Sequence, residues 1–91
     1  MLYIVSYDIV EDKRRNRLSR CLMDFGDRVQ YSVFECLLEE ALLKKMISRI
    51  KRIVNQEEDK VRIYVLCATC QRSIEVIGKG SISKIEKVYI I

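Results

Sequence analysis

Apolar and β-branched side chains follow one another almost without a break from residue 2 to residue 9 (LYIVSYDI), the pattern of a strand covered on both faces. Glu11 and Asp12 then place acids where a helix N-terminus favours them. Leu18, Cys21, Leu22 and Phe25 recur at i, i+3, i+4 and i+7, which predicts an amphipathic helix over 12–25 with Gly26 at its C-cap. Residues 28–38 read as extended. Val29, Tyr31 and Val33 fall on one side and Arg28, Gln30, Ser32 and Phe34 on the other, with a kink or bulge near Glu35 dividing the stretch into two strands. A second helix is predicted over 40–54, with Leu43, Met46, Ile47, Ile50 and Val54 on its apolar face and Lys44, Lys45, Lys51 and Arg52 outside it. A polar loop at 55–60 precedes a strand at 61–67, which carries Val61, Ile63, Val65 and Cys67 on one face, and a shorter strand at 73–77. The run GKGSIS at 78–83 reads as a hinge, and the apolar run at 86–91 as a last strand.

This order, βαββαβ with extra strands, is met by one antiparallel sheet carrying two helices on one face, the ferredoxin-like α+β sandwich. It divides the chain into a body at 1–78 and a tail at 79–91 holding the hinge and the C-terminal strand. An apolar strand behind a hinge needs a pairing partner, because a bare edge invites aggregation. A second copy of the chain supplies one most economically, so a symmetric homodimer is expected.

Composition narrows the chemistry. Ninety-one residues make one domain, and 49% hydrophobic content allows a modest core. With no proline and three glycines, collagen-like, proline-rich and linker readings are excluded. No apolar run approaches the roughly 20 residues of a membrane span, and the N-terminus shows neither a basic n-region nor a small-residue cleavage site. The expected location is the cytoplasm, without a membrane partner. Histidine is absent, which excludes triads with a histidine base, histidine metal sites and paired-histidine ribonucleases. Hydrolysis would have to use a carboxylate, a metal-activated water, or arginine and lysine. The 17 basic residues against 13 acidic ones leave a net charge of +4, compatible with a nucleic-acid partner and equally with an ordinary basic protein.

Asp8 stands where the chain leaves its first strand. A solvated carboxylate on a rigid element suits a divalent metal such as Mg²⁺, and an aspartate is equally at home there as a turn or capping residue. One carboxylate is a poor metal site. A two-fold dimer bringing two copies of Asp8 together would provide two, with water and phosphate completing the shell. The run Lys13-Arg14-Arg15-Asn16-Arg17 crowds four cations onto a helix start, against the dipole preference. A phosphate would resolve that conflict; so would a solvated face balanced by Glu11, Asp12 and Asp24, with Arg20 on a neighbouring turn. Arg28, Gln30, Ser32 and Phe34 set a cation, an amide, a hydroxyl and a ring in one row, which fits a nucleic-acid track or, for Ser32 and Phe34 above all, a packed sheet face. Cys67 and Cys70 form a CxxC, half of a zinc site or a redox pair; without histidine, and with Cys21 and Cys36 on core faces, ordinary thiols are the simpler expectation.

Taken together, Tyr7-Asp8-Ile9 closing the first strand, DKRRNRL at 12–18, RVQYSVFE at 28–35 and VRIY at 61–64 resemble the small CRISPR-associated endoribonuclease family, the second of the two core adaptation proteins of CRISPR systems. The similarity runs over nearly the whole chain, and SVFE behind R-x-Q carries most of its specificity. The resemblance implies a ferredoxin-like homodimer in which Asp8 from each subunit is the metal-binding catalytic residue, the Mg²⁺ or Mn²⁺ lying between them, with Tyr7 in the same site. It ties Arg15, Arg17, Arg28, Ser32 and Phe34 to nuclease activity. Lys13, Arg14, Arg15, Arg17, Arg28 and Gln30 are the expected nucleic-acid contacts. The implied reaction is hydrolysis of phosphodiesters in single-stranded RNA or in duplex DNA. The implied partners are two integrase dimers, bridged by this dimer in a heterohexameric spacer-integration complex. Two alternatives remain open: a non-catalytic DNA-binding scaffold between those dimers, and a toxin-type ribonuclease of the same fold.

Overall fold

A computed structural model describes residues 1–80. The tail strand expected at 86–91 and the last residues of the expected hinge lie outside the described residues. In chain order the elements are β1 (Leu2–Asp8), α1 (Asp12–Met23), β2 (Asp27–Gln30), β3 (Val33–Leu37), α2 (Glu40–Ile53), β4 (Lys60–Leu66) and the short α3 (Ala68–Arg72). The four strands form one sheet in the order β2-β3-β1-β4, every neighbouring pair antiparallel. That is the ferredoxin-like arrangement.

Strand alternation explains how the sheet is used. Tyr3, Val5 and Tyr7 of β1 join Phe34 and Cys36 of β3 and Val61 and Ile63 of β4 on the face that receives the helices. Leu18 and Leu22 from α1 and Met46 and Ile50 from α2 close that core from above. Phe34, Leu18, Leu22 and Met46 are fully buried, and each such side chain contributes about 1.5–3 kcal/mol by leaving water. The register pairs Asp8 with Lys60, Ser6 with Arg62 and Val33, and Ile4 with Tyr64. These residues alternate with the core positions, so they occupy the opposite face, which carries neither α1 nor α2. Among the described residues no helix is long and apolar enough to cross a membrane.

Three expectations change. The extended stretch breaks at Tyr31-Ser32, where a turn joins β2 to β3, and not near Glu35. Phe34, Cys36 and Leu38 keep a single phase, all buried, so the chain passes Glu35 without a kink. The register shift sits between Arg28 and Gln30 instead. The segment at 73–77 is not a strand; α3 takes up 68–72, and residues 74–77 have no regular structure.

Gly26 is not a left-handed cap. Helix α1 ends at Met23, and the N–H groups of Phe25 and Gly26 bond the Leu22 carbonyl at 2.9 and 3.0 Å. What requires glycine is proximity: a β-carbon at position 26 would stand 2.1 Å from the Glu35 carbonyl oxygen. Left-handed backbone occurs at Gly78 (φ 89°) and Gly80 (φ 120°), within the stretch read as a hinge.

Candidate active site

The first strand delivers Asp8 to the rim of the sheet, exposed, with buried Tyr7 before it and buried Ile9 after it. Apolar neighbours on both sides anchor the backbone while the carboxylate reaches water. The β2–β3 turn is fastened to the same point: the Tyr7 N–H donates to the Ser32 carbonyl at 3.1 Å, and the Tyr7 hydroxyl to the Tyr31 carbonyl at 3.4 Å. Arg15 folds back from the first turn of α1, donating to the Ile9 carbonyl at 2.9 Å and pairing with Asp12 at 2.5 Å. Tyr7, Asp8, Ile9, Arg15, Tyr31 and Ser32 thereby line one open pocket of about 210 Å³. Four residues singled out in the sequence, Tyr7, Asp8, Arg15 and Ser32, meet here.

Arg28 and Gln30 lie next to it, lining a shallow hollow of about 580 Å³ with Val29 and Tyr31. The Arg28 guanidinium stands 5.5 Å above the Phe34 ring centre and donates to the hydroxyl of Ser19, a buried residue of α1. Phe34 itself is fully buried and stacks near Tyr7, centroids 6.3 Å apart, so it can support the site but not touch a substrate.

The basic run of α1 divides by function. Arg14 is spent on structure: its side chain is mostly shielded and contacts Asp59 at 2.9 Å, Glu58 at 3.0 Å and Glu11 at 3.4 Å. These partners, Asp59 first, engage its guanidinium and hold it in the charged form. Lys13 and Arg17 are exposed, and their side chains make no hydrogen bond or ion pair among the described residues. They line neither the pocket nor the hollow.

Asp59, at the end of the polar loop, is a hub. Its carboxylate is shielded from solvent and accepts the backbone N–H of Val10 at 3.0 Å and of Asn55 at 2.8 Å besides Arg14. Arg14 first, and these N–H groups after it, lower its pKa from 3.8 to about 2. Ser19, Asp59 and Tyr31 do not stand out in the sequence as site residues. Only Ser19 carries a signal there, a hydroxyl inside the apolar stripe of a helix. On the other side of Asp8, a second groove of about 280 Å³ is lined by Ser6, Lys60, Arg62 and Tyr64.

As a cation site, one chain falls short. Among the described residues no group of three or more histidine, cysteine or acidic side chains could hold a metal ion. Among the described residues, Asp8 is the only carboxylate that lines its pocket. It is a hard oxygen donor with open solvent around it, suited to an ion that takes one or two carboxylates and fills its shell with water and phosphate oxygens. Cys67 and Cys70 are both exposed at the start of α3, and no third ligand joins them among the described residues.

The family model for "CRISPR associated protein Cas2" matches residues 1–74. The chain is 44% identical over 81 residues to a protein of Chloroflexus aurantiacus named CRISPR-associated endoribonuclease Cas2 1, covering 88% of this chain and 87% of that one. Its fold superposes on the crystal structure of Streptococcus pyogenes Cas2 with a TM-score of 0.75 at 32% identity, covering 86% of this chain and 100% of that chain. A chain of a solved assembly named "Partial Cas6-RT-Cas1--Cas2 complex" is also similar, with a TM-score of 0.71 at 32% identity, covering 84% of this chain and 83% of that one.

Proposed function

The chain belongs to the CRISPR-associated Cas2 family, and we propose that it acts as a homodimeric endonuclease that hydrolyses phosphodiesters with Mg²⁺ or Mn²⁺ held between the Asp8 carboxylates of two copies. One observation carries this reading: Asp8 ends β1 on the sheet face that α1 and α2 leave uncovered, while facing the pocket that also holds Arg15 and Ser32. Two copies meeting through that face would bring two such carboxylates together.

When bound, the cation supplies an activated water and charge neutralisation at the phosphate. The protein's own residues do the rest. Asp8 supplies a fixed oxygen ligand. Arg15, held by the Ile9 carbonyl, directs its guanidinium to one side of the reacting phosphate. Ser32 offers a hydroxyl at the pocket wall. Arg28, aligned by Ser19 and the Phe34 ring, positions the neighbouring phosphate. Lys13 and Arg17 add solvent-facing charge that draws the polymer in.

Curated relatives named endoribonuclease support RNA as substrate, and one from Thermus thermophilus, 39% identical and named an endonuclease, leaves duplex DNA in play. The similar chain in a Cas1–Cas2 assembly supports a second role in spacer acquisition, as the central dimer between integrase dimers. The test is cleavage of single-stranded RNA and duplex DNA with added Mg²⁺. Asp8→Ala or EDTA should each reduce it at least 100-fold. Cleavage that survives Asp8→Ala refutes the catalytic assignment and leaves the scaffold role standing.

A further inference from the structure

Tyr31 is 95% exposed, a large ring left in water at the tip of the β2–β3 turn. Turn positions are ordinarily filled by glycine, asparagine, aspartate or serine, so an aromatic side chain here has no evident folding purpose. Its backbone, by contrast, is well held. The Tyr31 carbonyl accepts the Tyr7 hydroxyl and the Ser32 carbonyl accepts the Tyr7 N–H, and Tyr7 precedes Asp8 in the same strand. The ring is therefore presented from a mount tied to the candidate catalytic residue.

Tyr31 also belongs to both depressions at this end of the sheet. One holds Asp8, Arg15 and Ser32; the other holds Arg28, Val29 and Gln30. It is the residue they share, so they form one track past the ring. A carboxylate and a guanidinium on one side suit a metal-bridged phosphate. A π-face beside the Gln30 amide on the other suits a nucleobase, which presents a flat face and a hydrogen-bonding edge, with the Arg28 guanidinium left for the next phosphate. A duplex keeps its bases stacked inside and cannot offer one.

We propose that Tyr31 is a base-stacking subsite for single-stranded nucleic acid: an unpaired base lies on its ring, with Gln30 beside the base edge, while the adjoining phosphate sits at Asp8 and Arg15. This rests on the nuclease reading and specifies its substrate as a single strand. Every base has a π-face, so the subsite serves RNA and DNA strands alike.

The test measures fluorescence anisotropy of labelled single-stranded RNA, single-stranded DNA and duplex DNA of one sequence, in an Asp8→Asn background that suppresses cleavage. Tyr31→Ala should weaken both single strands about 5- to 150-fold, the range of base–aromatic stacking, and leave duplex affinity unchanged. Tyr31→Phe should keep wild-type binding. An abasic site moved along the single strand should weaken binding sharply at one position, and Tyr31→Ala should abolish that position dependence. Unchanged single-strand affinity in Tyr31→Ala, or equal losses on single strand and duplex, would overturn the subsite. So would loss of self-association in Tyr31→Ala, which would place the ring between copies of the chain. The two readings fail separately. A chain that cleaves but ignores Tyr31→Ala loses only the subsite, and one that binds single strands through Tyr31 but never cleaves loses only the nuclease.

Discussion

Arg14 and Asp59, 45 positions apart in the chain, meet as a two-pronged ion pair, Nε 2.9 Å from Oδ2 and Nη2 3.3 Å from Oδ1. The same carboxylate holds the Val10 N–H, two residues beyond Asp8, and precedes Lys60, the register partner of Asp8. The contact thus ties the loop leaving β1 to the loop entering β4, and so sets where the candidate catalytic carboxylate stands. Asp59→Ala should lower Tm by several degrees, because it leaves the Arg14 charge and two N–H groups without this acceptor. A Tm equal to that of the wild type would show that the loops hold without it.

The same contact shapes the acid response. The Asp59 pKa falls from 3.8 to about 2 on folding, so the unfolded chain binds the proton more readily. Its stabilising contribution is complete above about pH 4 and is lost as pH drops through the range from 3.8 to about 2. Urea denaturation across that range should show a steeper loss of stability for wild type than for Asp59→Asn. Parallel curves would assign the acid limb to other carboxylates.

Gly26→Ala tests the close approach of the α1–β2 connection to β3. The new methyl would meet the Glu35 carbonyl oxygen at 2.1 Å and the Cys36 Sγ at 2.6 Å. Backbone and a buried side chain have little room to retreat, so the substitution should cost about 1–3 kcal/mol or more. Chemical denaturation measures it directly, and an unchanged midpoint would mean the strand shifts freely.

Cys67 and Cys70 differ in reactivity although only two residues separate them. Hydrogen bonds from the Cys70 backbone N–H and then the Cys70 thiol hold the Cys67 pKa below the usual 9.0, whereas the bond to Cys67 raises that of Cys70. Iodoacetamide labelling and peptide mass spectrometry should therefore find Cys67 modified first at pH 7–8, with the buried Cys21 and Cys36 protected until unfolding. Faster labelling of Cys70 would contradict that geometry.

Ser19 offers a way to loosen Arg28 without removing it. The hydroxyl accepts a hydrogen bond from the guanidinium and is itself buried. A bond of this charged kind contributes about 1.5–3 kcal/mol, so Ser19→Ala should slow cleavage roughly 10-fold or more through kcat, with KM little changed. Ser19→Thr, which keeps the acceptor, should recover activity. Failure of Ser19→Thr to do so in a folded protein would point to packing.

How far the sequence reaches depends on what kind of contact sets each feature. Hydrophobic period alone places β1, both long helices and β4 within a residue or two, because each buries a regular stripe. Asp8 is legible for the same reason, as the first charge after an apolar run. The β2–β3 turn is not, because Tyr31-Ser32 lacks the glycine, asparagine or aspartate that usually marks a turn and the alternation continues through it. The stretch 73–77 has strand-forming residues, yet these make no ladder among the described residues, because propensity without a pairing neighbour does not make a strand. Asp59 reaches Arg14 and Val10 across 45 and 49 positions and Ser19 meets Arg28 from another element, and no periodicity in the sequence ties them to those partners. Arg14 looks like its basic neighbours until three acids are found around it.

The nuclease reading requires one divalent cation shared by two chains through Asp8. Mn²⁺ uptake followed by electron paramagnetic resonance, on protein whose mass is established by sedimentation, counts that cation. The predicted result is a dimer that takes up one Mn²⁺ for every two chains, and an Asp8→Asn dimer that takes up none. A monomer, or a dimer whose Mn²⁺ uptake is the same after Asp8→Asn, would contradict it.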